Sequence, residues 1–205
     1  MKRSVDVLGA SFGLVLCTPV LAIAAVIMLL VQGRPILFGQ RRAGLGGQCF
    51  TVWKLRTMTA ERDETGRLLP DADRMTKVGR FLRTSSVDEL PELWNVLRGE
   101  MSLVGPRPLP VEYLPRYSAS EARRHEVRPG ITGWAQVNGR NAVGWDERLA
   151  MDVWYVDHRT ALLDVRIVLL TFALVTRRHG ISAAGEATMS ELRPHLGEPS
   201  RAEDT

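Results

Sequence analysis

Two adjacent carboxylates, Asp88 and Glu89, are the residues of this chain with the clearest chemical potential. They lie in the segment SSVDELPELWNVLRGEMSLVGPRP, which covers residues 85–108, at the start of a predicted helix. A carboxylate at a helix N-terminus is stabilised as the anion by the helix dipole, so its pKa is expected to fall. An anionic carboxylate suits a nucleophile or a magnesium ligand and not a general acid. Since neighbouring helical residues point about 100° apart, the two acids can serve different atoms.

Cationic side chains accompany the acidic pair. The candidates for anion binding are Lys54, Arg56, Arg83 and Arg107. The planar guanidinium of arginine matches the oxygens of a phosphate group. Prolines on both sides of Arg107 restrict its backbone and reduce the entropic cost of holding it in place. A carboxylate nucleophile among phosphate-binding cations indicates phosphoryl transfer through an acyl phosphate.

The same segment predicts the helix that must position these acids. Apolar residues that recur at helical spacing give this helix one buried face: Leu90, Leu93, Trp94 and Leu97. Gly99 is a natural end for it. Two interpretations give the acids a structural role only. In one, Ser86 and Glu89 form a capping box; in the other, Asp88 is the N-cap and Pro91 occupies the first turn.

Composition restricts the class of protein and of partner. A length of 205 residues with 45% hydrophobic content fits one globular domain with an attached segment. The net charge of +4 favours an anionic partner, which is nucleic acid, an acidic membrane face or a phosphorylated substrate. Cys17 and Cys49 fit neither a disulfide framework nor a metal-binding spacing. We therefore expect both to be reduced packing residues of a protein that faces the cytoplasm.

The N-terminal region contains an uncharged apolar run over residues 7–31, which is long enough for a transmembrane helix. Proline in its middle, at Thr18-Pro19, removes a backbone hydrogen bond, and the threonine hydroxyl can satisfy the freed carbonyl. Basic residues flank the run on both sides, and such residues prefer the cytoplasmic face. The pattern favours a re-entrant helix that bends at Thr18-Pro19, with a kinked spanning helix, a straight anchor and a cleaved signal peptide as alternatives.

The rest of the chain predicts a small set of strands, helices and loops. Residues 36–58 are typical of two strands around the glycine-rich turn at 44–47, residues 145–158 of a helix, and residues 128–141 of a structured loop. The apolar segment 162–175 is too short to span a bilayer and predicts a buried or interfacial helix. The expected divisions are a membrane helix, a catalytic domain with interfacial helices, and a polar tail: 1–33, 34–181 and 182–205.

Four motifs, in this order, make the chain resemble the bacterial sugar transferases of the monotopic phosphoglycosyl transferase superfamily. They are GQRRAGLGGQCFTVWKLRTM, TKVGRFLRTSSVDELPELWNVLRGEMSLVGPRP, RPGITGWAQVNGR and MDVWYVDHRTALLDVRIVLLT. The resemblance runs from about residue 2 to residue 178. The chain is similar in length to the small members of the superfamily, which contain only the catalytic core. The resemblance implies a helix-rich α+β fold with one re-entrant, non-spanning membrane helix, interfacial amphipathic helices and a small β-hairpin.

The resemblance also implies a reaction. Such enzymes transfer a sugar-1-phosphate from a UDP-sugar to undecaprenyl phosphate and release UMP, by a ping-pong mechanism, as the first membrane step of glycoconjugate or polysaccharide assembly. The matching location is the cytoplasmic face of the bacterial inner membrane. The implied partners are the donor, the acceptor and membrane lipids, with a homodimer as a possibility and no nucleic acid.

Individual roles follow from the resemblance alone. Asp88 matches the covalent nucleophile and a ligand of the Mg²⁺ cofactor, and Glu89 matches a residue that helps with proton transfer. The residues that match the lining of the site are Lys54, Arg83, Arg107, Arg140 and Asp152. Thr18-Pro19 matches a helix-breaking Ser-Pro pair, with threonine in place of serine.

Two other functions compete with this one. An ordinary glycosyltransferase would transfer the sugar alone and release UDP. A non-enzymatic basic membrane adaptor would use its positive face to bind anionic lipid, nucleic acid or a partner. The adaptor is disfavoured because the arginines lie in separate apolar and Gly/Pro contexts and not in a run.

Overall fold

The computed structural model describes residues 2–139, residues 143–176 and Leu192. In these residues the helices are α1 Lys2–Gln32, α2 Asp71–Arg74, α3 Lys77–Thr84, α4 Glu92–Arg98, α5 Ala119–Ala122, α6 Trp134–Asn138, α7 Trp145–His158 and α8 Ala161–Thr176. The strands are β1 Leu37–Ala43, β2 Cys49–Leu55, β3 Ser102–Val104 and β4 Gly130–Thr132. The fold is helix-rich with two small sheets, which confirms this part of the predicted fold class.

The predicted hairpin is confirmed. β1 and β2 pair in antiparallel fashion, with Phe38 opposite Lys54 and Arg42 opposite Phe50. Residues that face each other across an antiparallel pair lie on the same side of the sheet, and side chains alternate along each strand. Lys54 and Arg42 therefore share one face of the hairpin, and Arg41 lies on the other.

Helix α1 is long and apolar enough to cross a membrane, by length and composition. It continues through Thr18-Pro19 without interruption, and the bend at this pair stays a prediction. The Thr18 hydroxyl donates a hydrogen bond to the carbonyl of Leu14 at 2.6 Å. The carbonyl that loses its amide partner to Pro19 is that of Val15, four residues earlier. The hydroxyl therefore bonds the neighbouring carbonyl. The prediction that it would satisfy the freed carbonyl was wrong.

The two faces of α1 have opposite environments. On one face Asp6, Ala10, Ala24 and Met28 are buried. On the other face, apolar side chains are exposed at helical spacing, with exposed fractions between 62% and 81%: Leu8, Phe12, Val15, Leu16, Ile23 and Leu30. The helix thus lies along the domain by one face and leaves a continuous apolar stripe uncovered.

The second sheet adjoins residues 106–108, Pro106-Arg107-Pro108, which we call the proline clamp, through a 2.9 Å bond from the amide of Gly130 to the carbonyl of Pro106. β3 and β4 are parallel, with Val104 opposite Thr132. The prediction of a loop over residues 128–141 was wrong, since this segment contains β4 and α6. Local glycines mark it as a turn, but a Cβ on Gly130 would lie 2.1 Å from the amide nitrogen of Gly105. The glycines allow the backbones to pack closely at this sheet. This packing positions Pro106, the residue before Arg107.

The last two helices agree with the sequence. The predicted helix over residues 145–158 is α7, and the apolar segment forms α8. Ile167 of α8 is buried, and apolar side chains on its other side are exposed: Leu162, Val165, Leu169 and Phe172. The predicted tail lies outside the described residues except for Leu192, which packs against Leu109 and Leu149. The three predicted divisions of the chain stay predictions.

Candidate active site

The acidic pair lies in a short turn before α4 and not at the start of that helix. Asp88 and Glu89 belong to a 3₁₀ turn over Val87–Glu89, and Pro91 is the N-cap of α4. Ser86 precedes the turn with φ of 56° and makes no side-chain cap. Both capping interpretations were therefore wrong. A positive φ is uncommon for serine, and here it turns the chain out of α3 so that the acids face the hairpin.

Asp88 is 7% exposed. Burial, followed by the negative charge of Glu89, raises its pKa to about 6, against the opposing effect of Lys54, Arg83 and Arg107. The expected lowering of this pKa by a helix dipole was wrong, because the residue lies in a single turn and loses its contact with water. The carboxylate remains ionised at neutral pH.

Glu89 has the opposite electrostatic environment. Burial acts to raise its pKa, but Arg107 and Lys54 outweigh this effect and hold the pKa far below its usual range. Lys54 Nζ and Arg107 Nη2 each donate to Glu89 Oε1 at 2.6 Å. A carboxylate held so firmly as the anion accepts a proton poorly. This environment suits Glu89 to hold the two cations in place.

Glu92 is a member of the site that the sequence interpretation missed. Its Oε1 lies 3.1 Å from Lys54 Nζ, and the residue is 2% exposed. Burial raises the pKa of Glu92 to about 7, although Lys54 lowers it. The available signal was its position, one helical turn beyond Asp88.

Asn95 fixes the geometry between these charges. Its side-chain amide donates to the carbonyl of Thr51 and to Glu100 Oε2, each at 2.7 Å. Its carbonyl oxygen accepts from the amide of Trp53 at 3.2 Å. Since Asn95 is fully buried and these bonds join α4 to β2, it sets the distance between Lys54 and the carboxylates.

Asp152 supports the backbone of Arg107 indirectly, through Arg124. Its Oδ2 accepts from Arg124 Nη2 at 2.8 Å, and the same nitrogen donates to the carbonyl of Arg107 at 2.6 Å. Burial raises the pKa of Asp152, against the opposing effect of Arg124. The family resemblance placed Asp152 in the lining of the site, and Arg124 was missed. Nothing in the local sequence separates Arg124 from its arginine neighbour, because its role depends on a residue in α7.

The remaining predicted cations have different positions. Arg83 acts on the charge of Asp88, and its Nε donates to Thr57 Oγ1 at 2.9 Å. Gly79 lets α3 approach this point, since a Cβ there would lie 1.8 Å from the Thr57 carbonyl oxygen. Arg56 instead caps the end of α1, where it donates to the carbonyls of Gln32 at 2.6 Å and Gly33 at 2.9 Å. Arg140 lies outside the described residues.

In the described part of the chain, no group of three His, Cys, Asp or Glu side chains is arranged to hold a metal ion. A Mg²⁺ ion usually keeps several waters and binds through one or two carboxylates together with substrate phosphates. Asp88 fits that mode, because its buried carboxylate lies beside a second negative charge. Glu89 fits it less well, since Lys54 and Arg107 share its Oε1.

Comparisons with known proteins identify the family of this chain. Residues 1–178 match the model of the family described as bacterial sugar transferase. The chain is 50% identical to an uncharacterized sugar transferase, EpsL, of Bacillus subtilis, over 92% of this chain and 93% of the relative.

Two relatives with more specific names are also similar. The chain is 43% identical to a UDP-glucose:undecaprenyl-phosphate glucose-1-phosphate transferase of Caulobacter vibrioides, over 83% of this chain and 67% of the relative. It is 37% identical to an undecaprenyl-phosphate galactose phosphotransferase of Salmonella typhimurium, over 87% of this chain and 42% of that longer protein. The chain belongs to the bacterial sugar transferase family.

Proposed function

We propose that this protein transfers a sugar-1-phosphate from a UDP-sugar to undecaprenyl phosphate, or a similar polyprenyl phosphate, with release of UMP. The observation that carries the proposal is the contrast between the two acids. Glu89 takes the direct ion pairs with Lys54 and Arg107, and Asp88 is buried beside it under the influence of three cations. The names of the relatives support the same substrates.

The first step is attack by Asp88 on the phosphorus that carries the sugar. A raised pKa makes a carboxylate a stronger nucleophile, and a value of about 6 still leaves it ionised at neutral pH. The bond from this phosphorus to the bridging oxygen breaks, and the electron pair leaves on UMP. The product is an acyl phosphate that joins Asp88 to the sugar.

The second step transfers the sugar phosphate to the lipid. A phosphate oxygen of the polyprenyl phosphate attacks the same phosphorus. The bond between this phosphorus and the Asp88 oxygen breaks, and Asp88 returns as a carboxylate. Arg107, held on both sides by Glu89 and Arg124, orients the phosphate oxygens in both steps. The covalent intermediate lets a water-soluble donor and a membrane-bound acceptor use one site in turn.

The proposed cofactor is Mg²⁺, with Asp88 as the residue that would hold it. When bound, it would neutralise charge on the diphosphate of the donor. Lys54 and Arg83 supply positive charge to the same region from the protein itself.

We further propose that α1 is re-entrant and that the protein is monotopic in the bacterial inner membrane, with its site on the cytoplasmic face. Two contacts support this. Near its start, Asp6 accepts bonds from the hydroxyl of Ser102 at 2.9 Å and the amide of Leu103 at 3.0 Å. Near its end, Met28 packs with Leu55 and Leu82 of the same domain. A helix that crossed the bilayer would place one end about 30 Å away from that domain.

The experiment that tests the reaction is identification of the released nucleotide. The purified protein in nanodiscs would receive undecaprenyl phosphate, Mg²⁺ and a panel of UDP-sugars, with Asp88→Asn as the matched control. We expect UMP that depends on one sugar, together with a radiolabelled sugar phosphate trapped on the protein when the lipid acceptor is left out.

Other products would separate the alternatives. UDP in place of UMP would mean sugar transfer alone and would remove the role of Asp88 as nucleophile. Sugar-dependent UMP that persists in Asp88→Asn would contradict the covalent mechanism but keep the overall reaction. Absence of both nucleotides with every donor would favour a non-enzymatic membrane protein.

A further inference from the structure

Arg42 is a basic residue of the hairpin to which neither the resemblance nor the relatives give a role. The register of β1 and β2 places it on the same face as Lys54, whose ammonium contacts Glu89 and Glu92. The adjacent Arg41 is on the opposite face, where its Nε contacts Cys49 Sγ at 3.1 Å. Strand alternation therefore directs one arginine of the pair to the candidate site and the other away from it.

The backbone and side chain of Arg42 are both anchored. The end of β1 contacts the residues that follow the proline clamp. Arg42 forms a β-bridge with Pro110, and the amide of Ala43 donates a 3.0 Å hydrogen bond to the carbonyl of Leu109. Its Nη2 donates to Gln40 Oε1 at 2.5 Å. These contacts join the strand to the segment that carries Arg107, so the two guanidinium groups come from adjoining backbones.

Electrostatic interactions link Arg42 to Arg107. Arg107 and Glu92 are the charged residues that act most strongly on Arg42. Arg107 also acts on Asp88, whereas Arg42 is not among the charges that act most strongly on Asp88. Arg107 is therefore the guanidinium that belongs with the nucleophile, and Arg42 is a second guanidinium beside it.

Arg42 has both like and opposite charges near it, since Arg107 repels it and Glu92 and Glu112 attract it. Glu89 already pairs with Lys54 and Arg107, and Glu92 contacts Lys54. Burial and the like charge of Arg107 lower the pKa of the Arg42 guanidinium. Two guanidinium groups held together in a partly buried region repel each other, and an anion between them would remove that repulsion.

We propose that Arg42 binds the phosphate of the departing nucleotide, next to the phosphate that Asp88 attacks. This inference rests on the proposed function. A nucleoside diphosphate sugar has two phosphates in series. Arg107, which acts on Asp88, matches the phosphate that is attacked, and Arg42, whose strand adjoins the segment of Arg107, matches the other. As the bridging bond breaks, its electron pair stays on the oxygen of the nucleoside monophosphate, which gains one negative charge without taking up a proton. Arg42 stabilises that charge.

The test measures how much the phosphate of UMP contributes to binding. Equilibrium dissociation constants of UMP and of uridine would be measured on the full chain in nanodiscs, for the wild type, Arg42→Ala and Arg42→Lys. Arg41→Ala is the matched control, since it removes the same charge from the opposite face. Loss of a charge-assisted hydrogen bond should weaken UMP binding about 10- to 100-fold in Arg42→Ala. Uridine binding should not change, and Arg42→Lys should recover part of the loss.

Each result has a definite meaning. Equal weakening of UMP and uridine would indicate a structural role for Arg42 and overturn the inference, as would equal effects of Arg41→Ala and Arg42→Ala. A wild-type enzyme that releases UMP while Arg42→Ala binds UMP normally would overturn this inference alone. A wild-type protein that releases UDP or no nucleotide would overturn the proposed function, and the role of Arg42 with it.

Discussion

Arg107 connects two ion-pair groups that differ in their contact with solvent. In the front group, which consists of Lys54, Glu89 and the guanidinium of Arg107, the side chains are 21%, 19% and 38% exposed. In the rear group, which consists of Arg124 and Asp152, they are 2% and 4% exposed. The front group remains open to a substrate, whereas the rear group holds the carbonyl of Arg107 in a sealed environment. One arginine is thus positioned by its backbone and used through its side chain.

The largest effect on activity should come from Asp88→Asn, next to the front group. The substitution removes the nucleophile, so we expect the rate of UMP release to fall about 10³-fold or more. The free energy of unfolding should stay equal or rise, because a buried charge is removed. Nucleotide release and urea denaturation measure the two quantities. A variant that is destabilised as strongly as it is inactivated would contradict the division of roles between Asp88 and its neighbours.

Glu89→Gln should have the next largest effect and should break the front group. It leaves the Arg107 side chain without its ion-pair partner and leaves Lys54 with Glu92 alone, so both cations are held less firmly. We expect about a 100-fold fall in kcat, and a loss of about 1–3 kcal/mol in unfolding free energy, since these side chains are only partly buried. Steady-state kinetics with the same UDP-sugar provide the measurement. Normal kcat in this variant would show that Arg107 does not depend on Glu89.

Asp152→Asn should break the rear group, with the opposite balance of effects. It leaves the buried Arg124 unpaired, which typically costs about 3–5 kcal/mol of stability. Activity should fall only about tenfold, because the rear group acts through the position of Arg107 and not on the substrate. Urea denaturation and kinetics below the unfolding transition separate these effects.

A double substitution sharpens the same comparison. Arg124→Met with Asp152→Leu replaces the buried pair by apolar side chains of similar size and should recover most of the stability that Asp152→Asn loses. The defect in activity should remain, since this variant also removes Arg124, the donor to the carbonyl of Arg107. Recovery of activity together with stability would mean that the rear group has no positional role.

The smallest effect concerns the pH dependence of stability in the absence of divalent cations. Burial raises the pKa of Asp88 to about 6, above its value of about 4 in an unfolded chain. Between these values the folded protein binds more protons than the unfolded chain, so this group reduces stability as pH rises through that range. Asp88→Asn should remove this contribution. Urea midpoints at pH 4.5 and pH 7 for both proteins test it, and an identical pH dependence in both would contradict the buried environment of Asp88.

Much of the fold follows from local patterns. Two apolar-rich segments around the glycine turn at 44–47 predicted the hairpin, the apolar segment 162–175 predicted α8, and Gly99 predicted the end of α4. These features depend on short-range periodicity and backbone preference, which a sequence shows directly. Residues 128–141 were misread because the same glycines that form loops also permit close packing of strands.

The sequence by itself determined the acidic pair, the apolar helix, the hairpin and the motifs that identify the family. Only the tertiary structure decided which acid pairs with the cations and which guanidinium groups serve the site. Asp88 and Glu89 have nearly the same local sequence, yet Lys54 and Arg107, 35 and 18 residues from Glu89, bond to Glu89. Likewise Arg56 caps α1 while Arg124 holds Arg107. The pKa and role of a charged group depend on which charges surround it and on how much water it loses, and both are set by contacts between distant parts of the chain.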